Sequence, residues 1–191
     1  MGSIRQNTAV DHLPVRLIMS LALIAAIISI LCGASGWMRT FVAEQQIEYQ
    51  CRQLEASLRT MVQSGATRDV DDPLAAEGAK RVQLFTVPAS VVFLSFGGNP
   101  DPTNQGWFSS ELSRYGAAIF YKVQGGSTRV LWFSEESFRF REGLYVDSHW
   151  TLHESGHSFI LHQGGKYELI FEHVEKNHEN FILIHQTDDI E

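Results

Sequence analysis

The stretch LIMSLALIAAIISILCGASGW, residues 17–37, carries no charged side chain. At 1.5 Å rise per residue its 21 residues reach roughly 30 Å as a helix, the thickness of a bilayer's hydrocarbon core. Arg16 and Arg39 bracket it, and Trp37 stands where an interfacial aromatic belongs. Pro14 suits the first turn of a helix, where a missing N–H costs nothing. A buried core helix rarely needs so long an uncharged run, so the expectation is a transmembrane helix over 17–37. A cleaved signal fits poorly, because the apolar run is too long and no clean small-x-small site precedes a mature start. Arg5, Arg16 and the α-amino group precede the span, and Arg39 and Arg52 follow it. This places residues 1–16 in the cytoplasm and the C-terminal domain outside.

Downstream, Ile47, Cys51, Leu54, Leu58 and Met61 recur at spacings of four and three, a seam on one helical face. Glu48–Arg52 and Glu55–Arg59 are i,i+4 pairs in the favoured order. Residues 38–65 therefore read as an amphipathic stalk helix, with Gly65 as its C-cap. Nothing forces a break between Leu17 and Ser64, so one helix of about 48 residues is expected. Two uses of the seam are open: docking on the following domain, or packing against the same helix in neighbouring subunits. On a continuous helix Cys32 and Cys51 lie about 28 Å apart, which precludes a disulfide between them within one chain. Residues 66–79 form a polar linker, with a turn at Asp72-Pro73 and room for a short helix at 73–77.

From residue 80 to 191 short runs of Val, Ile, Phe and Tyr alternate with Gly, Asn, Asp and Ser. Strands are expected near 81–87, 89–96, 115–123, 127–134, 144–146, 150–153, 157–163, 166–175 and 179–186. Gly125-Gly126 and Gly164-Gly165 sit at two-residue hairpin positions, and 97–109 reads as a surface loop. The expected fold class is α+β: a long N-terminal transmembrane and amphipathic helix, then an all-β sandwich-like ectodomain.

The 191 residues carry 15 Lys+Arg against 22 Asp+Glu, a net charge of −7, and no basic cluster. Nucleic-acid binding is excluded on that ground. Two cysteines make no disulfide scaffold. His153-Glu154-Ser155-Gly156-His157 is a literal H-E-x-x-H, which in a zinc peptidase needs both imidazoles one helical turn apart, with Glu activating the bound water. Here apolar alternation flanks it, Gly156 reads as a hairpin turn, and Ile160 and Gln163 replace the extended motif's Gly and third His. A membrane-tethered zinc peptidase is thus the weaker alternative, and no catalytic, cofactor or metal residue is assigned. Seven of the eight histidines follow residue 148, and His162 and His185 read as solvent-facing strand positions. Lys80-Arg81 and Arg139–Arg141 read as solvated strand charges. Asp69, Asp71 and Asp72 lack the spacing of a calcium loop.

The order of parts resembles archaeal type IV pilin-like and archaellum-accessory membrane proteins. The residues that carry the likeness are Ala9 to Arg16 leading into the span, Glu55 to Gly65, Leu84 to Pro88, and Val91 to Gly97. The resemblance implies a non-catalytic cell-surface structural or interaction component. Its partners would be the lipid bilayer, further copies, or other surface or pilus proteins. No basic residue and Gly stand together before the span, and no acidic residue lies just inside it. Those departures fit a permanently anchored pilin-like protein better than the alternative, a polymerising filament subunit.

Overall fold

The computed structural model describes residues 12–72, 74–108, 116–133, 138–153 and 157–187. The chain divides into two units, Met1–Phe41 and Val42–Glu191. One helix, α1 (His12–Ser64), contributes to both. It begins before the expected Leu17, because Leu13, Pro14 and Val15 are all compatible with a first turn.

In the first unit the described helix surface is apolar and uncovered. Large side chains from Leu17 to Trp37 are 48–71% exposed on every side. In the second unit the helix changes character. Ile47, Cys51, Leu54, Leu58 and Met61 are at most 1% exposed and join the domain's main core. Of the two uses open to the seam, the fold takes the intramolecular one. Burying five such side chains contributes on the order of 10 kcal/mol before entropy.

Ten strands follow among the described residues: β1 (Arg68–Asp69), β2 (Lys80–Val87), β3 (Val91–Phe96), β4 (Ala118–Val123), β5 (Arg129–Trp132), β6 (Phe138–Val146), β7 (His149–Leu152), β8 (Phe159–Leu161), β9 (Gly165–Lys176) and β10 (Glu179–Gln186). They form a six-stranded sheet, β1-β9-β10-β6-β7 with β2 also on β9, and a four-stranded sheet, β5-β4-β3-β8. Between the sheets lies an aromatic core in which the Phe96 ring meets Phe85, Phe140, Phe159 and Phe171.

On one side the sheets meet directly: the backbone of Glu142 on β6 bonds both His153 and the His157 carbonyl leading to β8. On the other side α1 closes the gap. Gln50 accepts from the Thr86 N–H at 2.6 Å and donates to the Thr86 carbonyl at 3.0 Å, and Gln46 donates to the same carbonyl. A side-chain amide thus stands in for a neighbouring strand at the edge of β2. Glu44 reaches Arg129 on β5 at 3.3 Å.

Several local expectations change. Gly164-Gly165 is no hairpin: β8 and β9 belong to different sheets, and Gly164 marks where the crossing chain presses on Ala89 and Pro88. Gly125-Gly126 does turn β4 into β5, over five residues rather than two. The tight hairpins lie elsewhere. Asp147-Ser148 and Asn177-His178 have both residues at positive φ, joining β6 to β7 and β9 to β10. They are primed two-residue turns without glycine. Gly65 ends α1 without a left-handed backbone; a Cβ there would lie 2.4 Å from the Met61 carbonyl oxygen and 2.5 Å from the Ala79 Cβ. Among the described residues of 73–77 there is a turn and no helix.

Candidate functional site

The first candidate is the apolar helix surface itself. α1 contains a segment long and apolar enough to cross a membrane, with none of it buried. Eleven Leu, Ile, Met and Trp side chains at 48–71% exposure amount to on the order of 1,000 Å² of apolar surface. A soluble monomer's largest patch is about 300–600 Å².

The second is the histidine motif. His153 follows β7, and His157 sits in an isolated bridge before Ser158; none of the described residues of 150–163 is helical. Glu154, Ser155 and Gly156 lie outside the described residues. The two imidazoles stack with centroids 4.0 Å apart and planes 12° apart, and His157 Nδ1 is 3.9 Å from a Glu142 carboxylate oxygen. Stacked rings differ from the arrangement in which two helical imidazoles converge on one zinc. Among the described residues no group of three or more His, Cys, Asp or Glu is placed to hold a metal.

The remaining histidines divide unevenly. His162 is exposed as expected but lies one residue past β8 rather than within a strand, and His178 is exposed in the β9–β10 turn. His185 and His173 are buried, at 5% and 3% exposure, which corrects the solvent-facing reading of His185. The reason is the β6–β7 hairpin, which folds back over the outer face of the large sheet. Trp150 lies flat on His185 at 3.8 Å, and Leu152, Val174, Phe181 and Leu183 fill a second small core beneath it. Burial holds the His173 ring below its ordinary titration range.

The hairpin is pinned by an ion pair that sequence reading missed. Arg68 on β1 donates from Nε to one oxygen of Glu172 at 2.8 Å and from Nη2 to the other at 3.0 Å. Nη2 also donates to the Trp150 carbonyl at 2.8 Å, and the Gly78 N–H reaches Glu172 at 3.2 Å. Both charges are buried, with side chains 10% and 2% exposed. They floor a cavity of about 180 Å³ that Lys80, Glu77 and His149 also line. The available signal was Glu172 inside an otherwise apolar run of β9; its partner was 104 residues away.

The 97–109 segment is more organised than a surface loop need be. Its described part, 97–108, folds back over β3, where Asp101, 2% exposed, accepts from the Gln105 and Gly106 N–H groups. Phe108 packs on Phe93 and on the His162 ring, and Trp107 is left 80% exposed. The opposite half of that face bears Phe120, Val130 and Trp132, with the last two 43% and 60% exposed. Cys51 is wholly buried, which pushes its thiol far above its ordinary range, and Tyr121 beside Glu48 is raised to about 12, chiefly by burial.

Comparison of the chain with models of protein families, with curated proteins and with solved structures finds no match.

Proposed function

We propose that this chain is a single-pass membrane protein whose N-terminal helix fastens a β-sandwich to the outside of the cell. There it acts as a non-catalytic, pilin-like structural or interaction component of a surface assembly. The observation that carries the reading is the uncovered apolar helix surface between Leu17 and Trp37. Only hydrocarbon or other apolar helices match such a surface. The helix seam at Ile47, Cys51, Leu54, Leu58 and Met61 supports a stalk built into the domain, since all five are buried within it. Contacts with other proteins are then left to the sheet faces and to the 97–108 segment, where Trp107 and Trp132 are displayed.

Expression of the full chain followed by an alkaline wash of the membranes tests the anchor. The protein is expected to stay with the bilayer until detergent is added. Release by the wash would overturn the reading. Protease added to intact cells is expected to cut the domain, and full protection would overturn its placement outside.

A further inference from the structure

The end of the sandwich at which the chain enters has a composition unlike the rest of this acidic molecule. Three connections meet there: 86–90 (TVPAS), 123–128 (VQGGST) and 162–167 (HQGGKY). They form one surface. The Gln124 N–H donates to the Ser90 carbonyl at 2.8 Å, and Gly164 lies against Ala89 and Pro88. Thr86 is bonded by Gln46 and Gln50 from the first turns of α1 within the domain. Thr86, Ala89, Gln124, Ser127, Gln163 and Lys166 are exposed. Not one Asp or Glu occurs in the three connections, in a chain with 22 of them. Beside this rim Phe108 rests on His162 and presents Trp107, 80% exposed.

Six of the chain's 22 acidic residues stand around the other end. β9 runs from Gly165, paired with Val87 at the rim, to Val174 and Glu175, paired with Arg68 and Asp69. Around that far end stand Asp69, Asp71, Asp72, Glu77, Glu175 and Glu179. The ten residue steps from Gly165 to Glu175 cover about 33 Å of strand. That is several Debye lengths at physiological salt, about 8 Å each, so carboxylates at the far end do not repel a charged surface at the rim.

The tether also limits the distance. Gln46 touches the rim, and only nine residue steps separate it from Trp37, the end of the uncharged run. Even fully extended they span at most about 32 Å.

We infer that this rim, with Lys166 and the displayed Trp107, docks on the headgroup layer of the bilayer that holds the chain, and that it favours anionic lipid. The inference rests on the anchoring proposed above. Trp107 supplies an amphipathic ring suited to the interface. The connections are rich in glycine and side-chain amides and carry no carboxylate of their own, exposed Glu168 standing two residues beyond Lys166. Lys166 adds one attraction to anionic headgroups. The docked rim directs the acidic end and the aromatic face of β4 and β5 outward, toward partners.

The test uses the full chain with Cys32→Ser, in which buried Cys51 stays out of reach of a label. One fluorophore is attached through Ser127→Cys at the rim, another through Glu77→Cys at the far end. Vesicles of phosphatidylcholine, with and without phosphatidylglycerol, carry a headgroup nitroxide as quencher. The rim label is expected to be quenched at least about twofold more than the far label, and more so with phosphatidylglycerol. Lys166→Glu is expected to lower the docked-to-undocked ratio roughly tenfold, and Trp107→Ser to weaken it further. Equal quenching at both sites while the protein floats with the vesicles overturns the docking alone. So does a rim signal indifferent to phosphatidylglycerol and to Lys166→Glu. A signal that fades when the protein is diluted in the bilayer marks a neighbouring copy and also overturns it. Failure to float with the vesicles after an alkaline wash overturns the anchoring, and the docking with it.

Discussion

Replacing Arg68 by Met leaves the Glu172 carboxylate, 2% exposed, without its two charge-assisted bonds and the Trp150 carbonyl without its donor. Among the described residues the Gly78 N–H at 3.2 Å alone remains on Glu172. Removing one member of a buried pair costs about 3–5 kcal/mol, because the other charge stays behind in a medium that solvates it poorly. The pair itself is worth much less than that against an apolar replacement. Arg68→Met with Glu172→Leu should therefore recover most of the loss. A deficit of about 1–3 kcal/mol should persist for the unsatisfied Trp150 and Gly78 groups. The coupling read from the double-mutant cycle should be about 2–3 kcal/mol. The assay is urea unfolding of the full chain in detergent, followed by tryptophan fluorescence, with the midpoint shifting at constant slope. A single Arg68→Met costing under about 1 kcal/mol would refute the reasoning, as would additive single and double mutants. Either result would mean that water enters the pair and that the hairpin is held by Trp150 packing alone.

Leu54→Ala in the helix seam should cost about 2–5 kcal/mol in the same assay, since the side chain is wholly buried between α1 and the sheets. Gly143→Ala should destabilise by about 2–3 kcal/mol; its Cβ would lie 2.7 Å from Leu183 Cδ2, 3.1 Å from the Trp150 ring and 3.2 Å from the Ile184 carbonyl oxygen. Far-ultraviolet circular dichroism melting checks it, and an unchanged midpoint would contradict the close approach. His178→Gly should stabilise by about 0.5–1 kcal/mol, because the second position of its primed turn holds a β-carbon at φ 64. Burial lowers the His173 titration below its ordinary 6.5. Between those two values the unfolded chain binds more protons than the folded one, so stability should be full above about 6.5 and fall as pH drops toward the folded value. His173→Gln should flatten that part of the pH–stability curve, and an unchanged slope would assign it to other groups.

The order of elements was legible because it rests on local patterning. Twenty-one uncharged residues, a four-three seam and runs of β-branched and aromatic side chains each announce their own period, and most observed strands fall within a few residues of the expected ones, β1 inside the expected linker 66–79 excepted. The expected strand at 144–146 proved to be the end of the longer β6, whose first half holds Arg139 and Arg141, read as strand charges; there Arg139 meets Glu179 and Arg141 lies over Phe181. The glycine-free turns at Asp147-Ser148 and Asn177-His178 were missed, because their backbone is imposed by the strands they join.

Which strands share a sheet, and what covers a face, are properties of residue pairs far apart in the chain. No single position records that Gly164-Gly165 crosses between sheets rather than turning within one. Nor does any record that His185 is roofed by Trp150, or that Arg68 finds Glu172. The sequence alone determined that an apolar helix precedes a β-rich domain, because hydrophobic period and length are written residue by residue. The tertiary structure decided that the seam is buried within the domain and that the acid-free connections gather at one end. Those outcomes depend on chain closure and on mutual burial, which act between segments and leave no local trace.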